Sequence, residues 1–339
     1  MDLDKIFIEN ACPTRVGGQA VLEGIMMKGI DRMAVAVRKP DGGIHVKIDA
    51  IPSPSNWMKV PVIRGVVAFM GSLVTGTKTL MYSAEVLEQY DKEIEKDKMT
   101  LWLEKRFGQK GTMDFMLYFS VIFALIFTVG IFIILPTVVV NIFQYFTTNE
   151  IALNLIEGFF RIILFVGYIL LISRMKDIRR VFEYHGAEHK TIHCYENGLE
   201  LTPENCRDFE PLHPRCGTSF LMFVMVISLL LFSLLGWPDL LFRIGSRLLL
   251  IPVIAGLSYE LLRWAGRSTS WVVKILSLPG LALQKLTTRE PDDQQLALAI
   301  VAMKAVLNTD VGPKAYGLFE LEAGQKEIWP IKTDKNESE

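Results

Sequence analysis

Long uncharged stretches dominate the middle of the chain. Residues 115–149 and 216–238 contain no Asp, Glu, Lys or Arg. A helix that crosses the hydrocarbon core of a bilayer needs about 20 predominantly apolar residues, and both stretches are long enough. A soluble core helix does not need an uncharged run of that length. The pattern therefore predicts a membrane-embedded protein.

Four membrane-spanning helices are predicted from the same pattern. They cover about 115–145, 151–173, 217–236 and 240–262. A further helix is predicted over 60–89, but its uncharged stretch is too short for a full span. We expect that helix to lie at the membrane interface or against other helices.

Ionisable residues also occur inside two of the predicted spans. Glu157 and Arg161 are four residues apart, so they lie on one helix face and can neutralise each other. The fourth span contains Arg243 and Arg247. Four spans with few other midplane charges do not favour a transporter.

The distribution of basic residues predicts the orientation in the membrane. Loop 174–215 carries seven Lys and Arg residues, whereas the turns between the other consecutive spans carry none. Basic residues accumulate in cytoplasmic loops. We therefore expect a multi-pass protein of the cell (inner) membrane, with loop 174–215 and both termini in the cytoplasm. The N-terminus lacks the apolar core of a signal peptide.

The remaining segments predict a small soluble portion. Alternating residues on either side of a Pro-Asp-Gly-Gly turn predict a β-hairpin at 33–48. Apolar positions at helical spacing after Pro291 predict an amphipathic helix that packs on the N-terminal region. The fold class is therefore mainly α, a polytopic membrane protein with about four transmembrane helices and a small cytoplasmic α+β portion.

Three consecutive regions are expected along the chain. Residues 1–111 form a cytoplasmic N-terminal region with the hairpin and the interfacial helix, and residues 112–267 form the membrane domain. Residues 268–339 contain an interfacial segment, the cytoplasmic amphipathic helix and a loose tail. Lys+Arg (36) and Asp+Glu (37) balance, so charge gives no reason to expect a nucleic-acid partner, and membrane lipids are the expected partners.

The candidate chemistry is concentrated in "YHGAEHKTIHCYE" at 184–196. On a helix, His185 and His189 lie one turn apart on one face and can hold one ion. With Glu188 they match the H-x-x-E-H pattern, in which two imidazoles bind zinc and the carboxylate is the general base. Cytoplasmic thiols stay reduced, so the nearby cysteines are expected as free thiols or ligands rather than disulfides.

The third ligand has several candidates. Glu260 is the first, because a carboxylate at the membrane boundary is costly unless it is paired or ligated. His213 is the second, since it precedes the third span on the same side. His193 continues the helical stripe, but it lies eight residues after His185, about 12 Å along the helix axis, which is too far for all three to bind one ion. His193, Cys194 and Cys216 are therefore expected to support the site or to act as alternative ligands.

Two other interpretations of these residues stay open. His213 and Cys216 could join His189 or His193 and Cys194 in a closed, four-ligand structural zinc site. The polar side chains could instead cap helices and bind headgroup phosphates at a basic membrane surface. The N-terminal "VGGQAVLEGIMMKG" is interpreted as a glycine-bounded strand or turn, because it lacks the spacing of a phosphate loop.

Four motifs in this order resemble the YqhQ-like bacterial membrane proteins. They are "GGQAVLEGIMMKG", "YHGAEHKTIHCYE", "HPRCGTSF" and "PDDQQLALAIVAM", and the resemblance covers about 13–308. That family is of unknown function and is described as predicted metal-dependent enzymes. The resemblance implies a polytopic membrane protein with a metal site, and it implies no substrate.

The sequence thus favours an integral membrane, metal-dependent hydrolase. A divalent metal, with Zn²⁺ the first choice, would be held by His185 and His189 and completed by Glu260 or His213, and Glu188 would be the general base. The substrate would be a peptide or a lipid-linked molecule at the cytoplasmic membrane face. The alternative is a non-catalytic membrane scaffold or lipid-binding protein with a structural zinc or headgroup site.

Overall fold

The computed structural model describes residues 3–8, 12, 14–52, 60–90, 98–266, 268, 270–307 and 317–321. The strands are β1 (Gly17–Val21), β2 (Gly24–Lys28), β3 (Arg32–Arg38), β4 (Ile44–Ala50) and β5 (Gly317–Leu321). The helices are α1 (Leu3–Ile6), α2 (Ile63–Glu88), α3 (Lys98–Val129), α4 (Leu135–Asn141), α5 (Glu150–Ile172), α6 (Lys176–Glu196), α7 (Pro203–Arg207), α8 (Gly217–Ser233), α9 (Leu240–Ala265), α10 (Trp271–Thr287) and α11 (Asp293–Leu307). A π turn at Gly130–Ile134 joins α3 to α4, and a 3₁₀ turn at Ile142–Tyr145 follows α4.

The contacts between Cα atoms divide the chain into two compact units. The sheet unit comprises Met1–Tyr90, Ile169–Val224 and Val253–Glu339, and the helical unit comprises Asp91–Tyr168 and Met225–Pro252. Both units are discontinuous in sequence, unlike the three consecutive regions expected from the sequence.

The sheet unit is built on an antiparallel meander in the order β1-β2-β3-β4-β5. The predicted hairpin is confirmed, because β3 pairs with β4 from Arg38↔Ile44 to Arg32↔Ala50. The glycine-bounded N-terminal motif forms the β1–β2 hairpin, as predicted. Strand β5 was not predicted, and it pairs with β4 at the edge of the sheet. The predicted loose tail after this strand lies outside the described residues.

Helices α6 and α11 cover this sheet and form its hydrophobic core. Ile25 of β2, Tyr184 of α6, and Leu298 and Met303 of α11 are fully buried there. The predicted packing of α11 on the N-terminal region is confirmed. The second half of α6 is buried on nearly every face, from Tyr184 to Cys194. A helix with this burial places its polar side chains inside the protein, where each one needs a partner.

The helical unit contains most of the uncharged sequence. Three helical segments are long and apolar enough to cross a membrane: Tyr118–Tyr145, Glu150–Ile172 and Leu240–Ala265. The third predicted span, 217–236, is a shorter apolar helix that ends at Ser233. The chain does not resume a helix directly after it, because Gly236 adopts a left-handed conformation (φ 71°) and Pro238 follows. Among the described residues, three helices rather than four therefore reach the expected length.

Candidate metal centre

Two predicted residues and one alternative ligand come together in the sheet unit. The donor atoms of His185, His189 and Cys216 all lie within 4.8 Å of one another. His185 Nε2 is 3.1 Å from Cys216 Sγ, and the rings of His185 and His189 have centroids 4.4 Å apart. His189 and Cys216 are buried and His185 is half-buried. We call these three residues the histidine–cysteine group.

Backbone carbonyls orient both histidines of the group. His185 Nδ1 is 2.8 Å from the carbonyl oxygen of Thr287, and His189 Nδ1 is 2.7 Å from that of Pro211. A carbonyl oxygen only accepts, so each Nδ1 carries a proton and each Nε2 is the ring nitrogen available to a metal. Metal-binding histidines are held in this way. Burial lowers the pKa of His189, which keeps its imidazole neutral.

Cys216 directly precedes the first residue of α8. Its Sγ accepts a hydrogen bond from Thr218 N (3.4 Å) and lies 3.2 Å from Thr218 Oγ1. Donors at the start of a helix stabilise a thiolate, which is the form of cysteine that binds metals. The first turn of α8 thus also positions the sulfur atom of Cys216.

Glu188 lies beside the group, on the neighbouring side of α6. It is buried (5% exposed), and its Oε2 has no hydrogen-bond partner among the described residues. Burial raises the pKa of the Glu188 carboxyl to about 7, and the nearby His185 and the backbone N–H of Gly18 oppose the shift only in part. A general base works best with a pKa near the operating pH.

Two glycines allow the backbone to approach this part of α6. A Cβ on Gly18 of β1 would lie 2.8 Å from Glu188 Cδ and 2.7 Å from the carbonyl oxygen of Met26. A Cβ on Gly186, inside the HGAEH motif, would lie 2.0 Å from the carbonyl oxygen of Arg289. Any larger residue would push these neighbours away, so both glycines serve close packing around the site.

A cavity of about 850 Å³ adjoins the group. The histidine–cysteine group, Glu188 and His213 line it together with Gly17 and Gly18 of β1. Ala68 of α2 and Ile169 and Ile172 of α5 add apolar surface, and Arg15 and Lys28 add exposed positive charge. The cavity therefore combines a small set of polar groups with an apolar wall, as is usual for binding sites.

His213 and His193 form a second polar layer next to the group. His213 Nε2 is 3.5 Å from Glu196 Oε2, and its Nδ1 accepts a hydrogen bond from Arg215 N. His193 donates through Nε2 to the carbonyl oxygen of Leu212 (2.9 Å), and its ring centroid lies 4.5 Å from that of His213. Because both nitrogens of His213 are engaged, the structure does not place it among the donor atoms. His193 is likewise not among the three donor atoms that lie together.

Glu260, the first candidate for the third ligand, lies in a different set of contacts. Its Oε1 accepts hydrogen bonds from Arg64 Nε (2.7 Å) and Val62 N (3.3 Å), and its Oε2 pairs with Arg64 Nη2. The carboxylate at the predicted membrane boundary is paired rather than ligated. The pairing could not be foreseen, because Arg64 is 196 residues away in sequence.

Cys194 does not join the donor atoms either. Its thiol donates to the carbonyl oxygen of Glu200 (3.5 Å) and interacts with Cys206, and all three cysteines of this region are free and buried. Sequence reasoning gave Cys216 only as an alternative ligand and did not name Thr218, whereas the paired glycines that include Gly18 already indicated tight backbone packing. The signal for Cys216 was its position at the start of an apolar helix, where a thiolate is favoured.

Comparisons with known proteins agree with the resemblance found in the motifs. Residues 60–309 match the family described as "Protein of unknown function (DUF1385)", and the chain belongs to this family. It is 34% identical over 302 residues to the "Uncharacterized protein YqhQ" of Bacillus subtilis (strain 168), an alignment that covers 88% of this chain and 94% of that protein. No solved structure matches the chain.

Proposed function

We propose that this member of the DUF1385 family is an integral membrane, metal-dependent hydrolase whose centre is the histidine–cysteine group. The observation that carries the proposal is the set of three donor atoms within 4.8 Å, two of them on imidazoles already oriented by backbone carbonyls. Three protein ligands and one free position are typical of catalytic zinc, whereas structural zinc has four protein ligands. Nitrogen and thiolate donors favour Zn²⁺ over Mg²⁺ or Ca²⁺.

The residues around the group suit hydrolysis. A bound zinc ion would supply a water molecule with a pKa near 7 and would polarise a carbonyl or phosphoryl oxygen. Glu188, whose Oε2 has no partner among the described residues, would accept the proton from that water and pass it to the leaving group. Gly18 N–H holds the carboxylate in place, and Thr218 stabilises the thiolate.

The proposed location is the cytoplasmic face of a bacterial inner membrane. Three helices have the length and composition of spans, and α8 together with the uncharged residues up to 238 would supply the fourth. The basic loop 174–215, which contains α6, would then lie in the cytoplasm. The apolar wall of the cavity, from α2 and α5, suits a peptide or a lipid-linked substrate.

Metal analysis of the purified full-length chain in detergent tests the proposal. We expect about one divalent ion per chain in the wild type. We expect the ion to be lost in His185→Ala, His189→Ala and Cys216→Ser and to be retained in Glu188→Gln and Glu260→Gln. Cys194→Ser is the matched control for Cys216→Ser, because both thiols are buried and only one belongs to the group.

Cobalt substitution distinguishes a catalytic site from a structural one. Co²⁺ in the protein should show a thiolate charge-transfer band that Cys216→Ser abolishes, and its visible spectrum should change when a small hydroxamate is added. A visible spectrum that does not change when hydroxamate is added would indicate four protein ligands. That result would favour the alternative of a non-catalytic scaffold with a structural zinc. Absence of metal from the wild type, or equal metal loss in Cys194→Ser and Cys216→Ser, would contradict the proposed centre.

A further inference from the structure

A second buried polar group lies in the helical unit. It contains Glu157 and Arg161 of α5 together with Arg243 and Arg247 of α9, and each is at most 6% exposed. We call these four residues the arginine cluster. Charged residues inside a spanning segment are costly, and they usually mark a functional site.

One carboxylate holds two of the three guanidinium groups. Glu157 Oε1 lies 2.6 Å from Arg161 Nη2 and 2.5 Å from Arg247 Nη1, which confirms the pairing of Glu157 with Arg161 predicted from their spacing. Arg161 Nε also donates to the carbonyl oxygen of Phe132 (2.8 Å), and Arg247 Nη2 donates to Asn154 Oδ1 (3.3 Å). These two arginines are therefore well satisfied.

Arg243 is different. Its Nη2 donates to Asn141 Oδ1 (3.1 Å), and its guanidinium carbon lies 3.9 Å from the ring centroid of Trp237. Its Nε and Nη1 are buried without a hydrogen-bond partner among the described residues, and so is Trp237 Nε1. Three unpartnered nitrogen donors thus occur on two side chains in contact, and burying donors without acceptors costs free energy.

The charges of the cluster do not balance. Arginine stays protonated in proteins, so three positive charges face the single negative charge of Glu157. Asp239 also acts on Arg243, but it is exposed, and its Oδ2 accepts a hydrogen bond from Phe242 N at the start of α9. Even with Asp239 counted, positive charge is in excess. A bridging water to the unpartnered Glu157 Oε2 would satisfy donors but would not remove that excess.

We propose that Arg243 and Trp237 form a binding site for a phosphate group, completed by the positive potential of Arg161 and Arg247. A ligand that only accepts hydrogen bonds and carries negative charge offers acceptors to these free donors and balances the cluster. Guanidinium groups are common phosphate ligands, because they stay charged and their planar N–H groups donate to phosphate oxygens. The phosphate could belong to a lipid headgroup or to a soluble molecule, and the two sources are separable by experiment.

Equilibrium binding to the purified full-length chain in detergent tests this site. The protein is washed with detergent until its bound lipid phosphorus is constant and is then titrated with inorganic phosphate or with phosphatidylglycerol in mixed micelles. Diacylglycerol at the same mole fraction controls for the acyl chains. The readouts are the retained phosphorus and the shift in the midpoint of thermal unfolding.

Conservative variants isolate the free donors. Trp237→Phe keeps an aromatic face beside Arg243 and removes the five-membered ring of the indole with its Nε1–H, and Arg243→Lys keeps the charge and removes the planar fork. Each should weaken phosphate binding by about tenfold, the loss expected for one charge-assisted hydrogen bond. Arg106 and Trp102 give matched controls, since Arg106 also lies over a tryptophan (5.9 Å) and both are exposed. Arg106→Lys and Trp102→Phe should leave binding unchanged.

Each outcome decides the proposal. A shift with phosphatidylglycerol alone, or lipid phosphorus retained by the wild type and reduced in Trp237→Phe, identifies a lipid headgroup. A shift with inorganic phosphate identifies a soluble ligand. The proposal is overturned if neither probe shifts the washed wild type and no phosphorus is retained, or if wild type, Trp237→Phe and Arg243→Lys bind equally. If Arg243→Lys does not fold, Trp237→Phe decides.

Discussion

The histidine–cysteine group and the arginine cluster are both buried and polar, but different interactions offset the cost of burying their polar atoms. In the first, imidazoles donate to the backbone carbonyls of Thr287 and Pro211. In the second, permanent charges face each other around Glu157. The comparison indicates that the first site is held by hydrogen bonds to the backbone, whereas the second depends on its single carboxylate.

The largest effect is expected from Glu157→Gln. The variant leaves Arg161 and Arg247 without a counter-charge, and breaking a buried pair costs about 3–5 kcal/mol. The free energy of unfolding in detergent measures the loss. Glu183→Gln is the control, because Glu183 and Arg179 are also four residues apart but Arg179 is 66% exposed, so about 0.5 kcal/mol or less is expected. Equal losses would mean that burial does not distinguish the two pairs.

Acidification should destabilise the histidine layer and not the arginines. Burial lowers the pKa of His193 and of His213 to about 4, whereas unfolded histidine titrates near 6.5. Their contribution to stability is complete above about pH 6.5 and is lost as the pH falls toward 4, by up to about 1.4 kcal/mol per unit for each. The free energy of unfolding between pH 7 and 5 measures this loss.

The protonation of Glu188 would partly mask this loss of stability, so the measurement needs a variant without that carboxyl. Its raised pKa has the opposite sign, because the folded carboxyl takes up a proton more readily than the unfolded one as the pH falls below about 7. We therefore compare the single variant Glu188→Gln with the double variant Glu188→Gln/His213→Asn. As the pH falls from 7 to 5, the double variant should lose stability less steeply than the single variant. The same slope in both would show that His213 is not a neutral buried histidine.

Local patterns in the sequence predicted the parts of the site that belong to one element. The i, i+4 spacing placed His185 and His189 on one face of α6, and it paired Glu157 with Arg161. The turn residues after Lys39 predicted the β3–β4 hairpin. These features depend on helix and strand geometry, which is set by nearby residues.

Contacts between distant segments could not be predicted in the same way. Cys216 reaches His185 because Gln284 of α10 bonds both backbone groups of His213 and fixes the segment before α8. Glu260 forms a salt bridge with Arg64 of α2 and therefore does not reach the histidine–cysteine group. Each of these contacts depends on how helices pack, and a single sequence carries no local signal for it.

Gly18→Ala should destabilise the protein by displacing Glu188. The new Cβ would lie 2.8 Å from Glu188 Cδ and 2.7 Å from the carbonyl oxygen of Met26, and overpacking of this kind costs about 1–3 kcal/mol. Gly17→Ala on the same strand is the control, because nothing lies within 4 Å of its Cβ. Metal content should persist in both variants, and only Gly18→Ala should lose stability. Similar losses in the two would show that Glu188 is not packed on Gly18.

The smallest effect is expected in thiol labelling. In a Cys12→Ser background, which removes the exposed cysteine, a maleimide should react faster with Cys216, which lines the cavity, than with the fully buried Cys194 and Cys206. Added Zn²⁺ should slow the labelling of Cys216 and leave that of the others unchanged. Labelling of Cys216 that does not respond to Zn²⁺ would argue against a bound sulfur.

X-ray absorption at the metal edge of the zinc-loaded full-length protein tests the metal centre most directly. The predicted first shell contains one sulfur at about 2.3 Å, from Cys216, and nitrogen or oxygen atoms at about 2.0–2.1 Å, including two imidazoles from His185 and His189. The sulfur should disappear in Cys216→Ser and remain in Cys194→Ser. A shell with no sulfur, or with two or more sulfur atoms, would contradict the assignment.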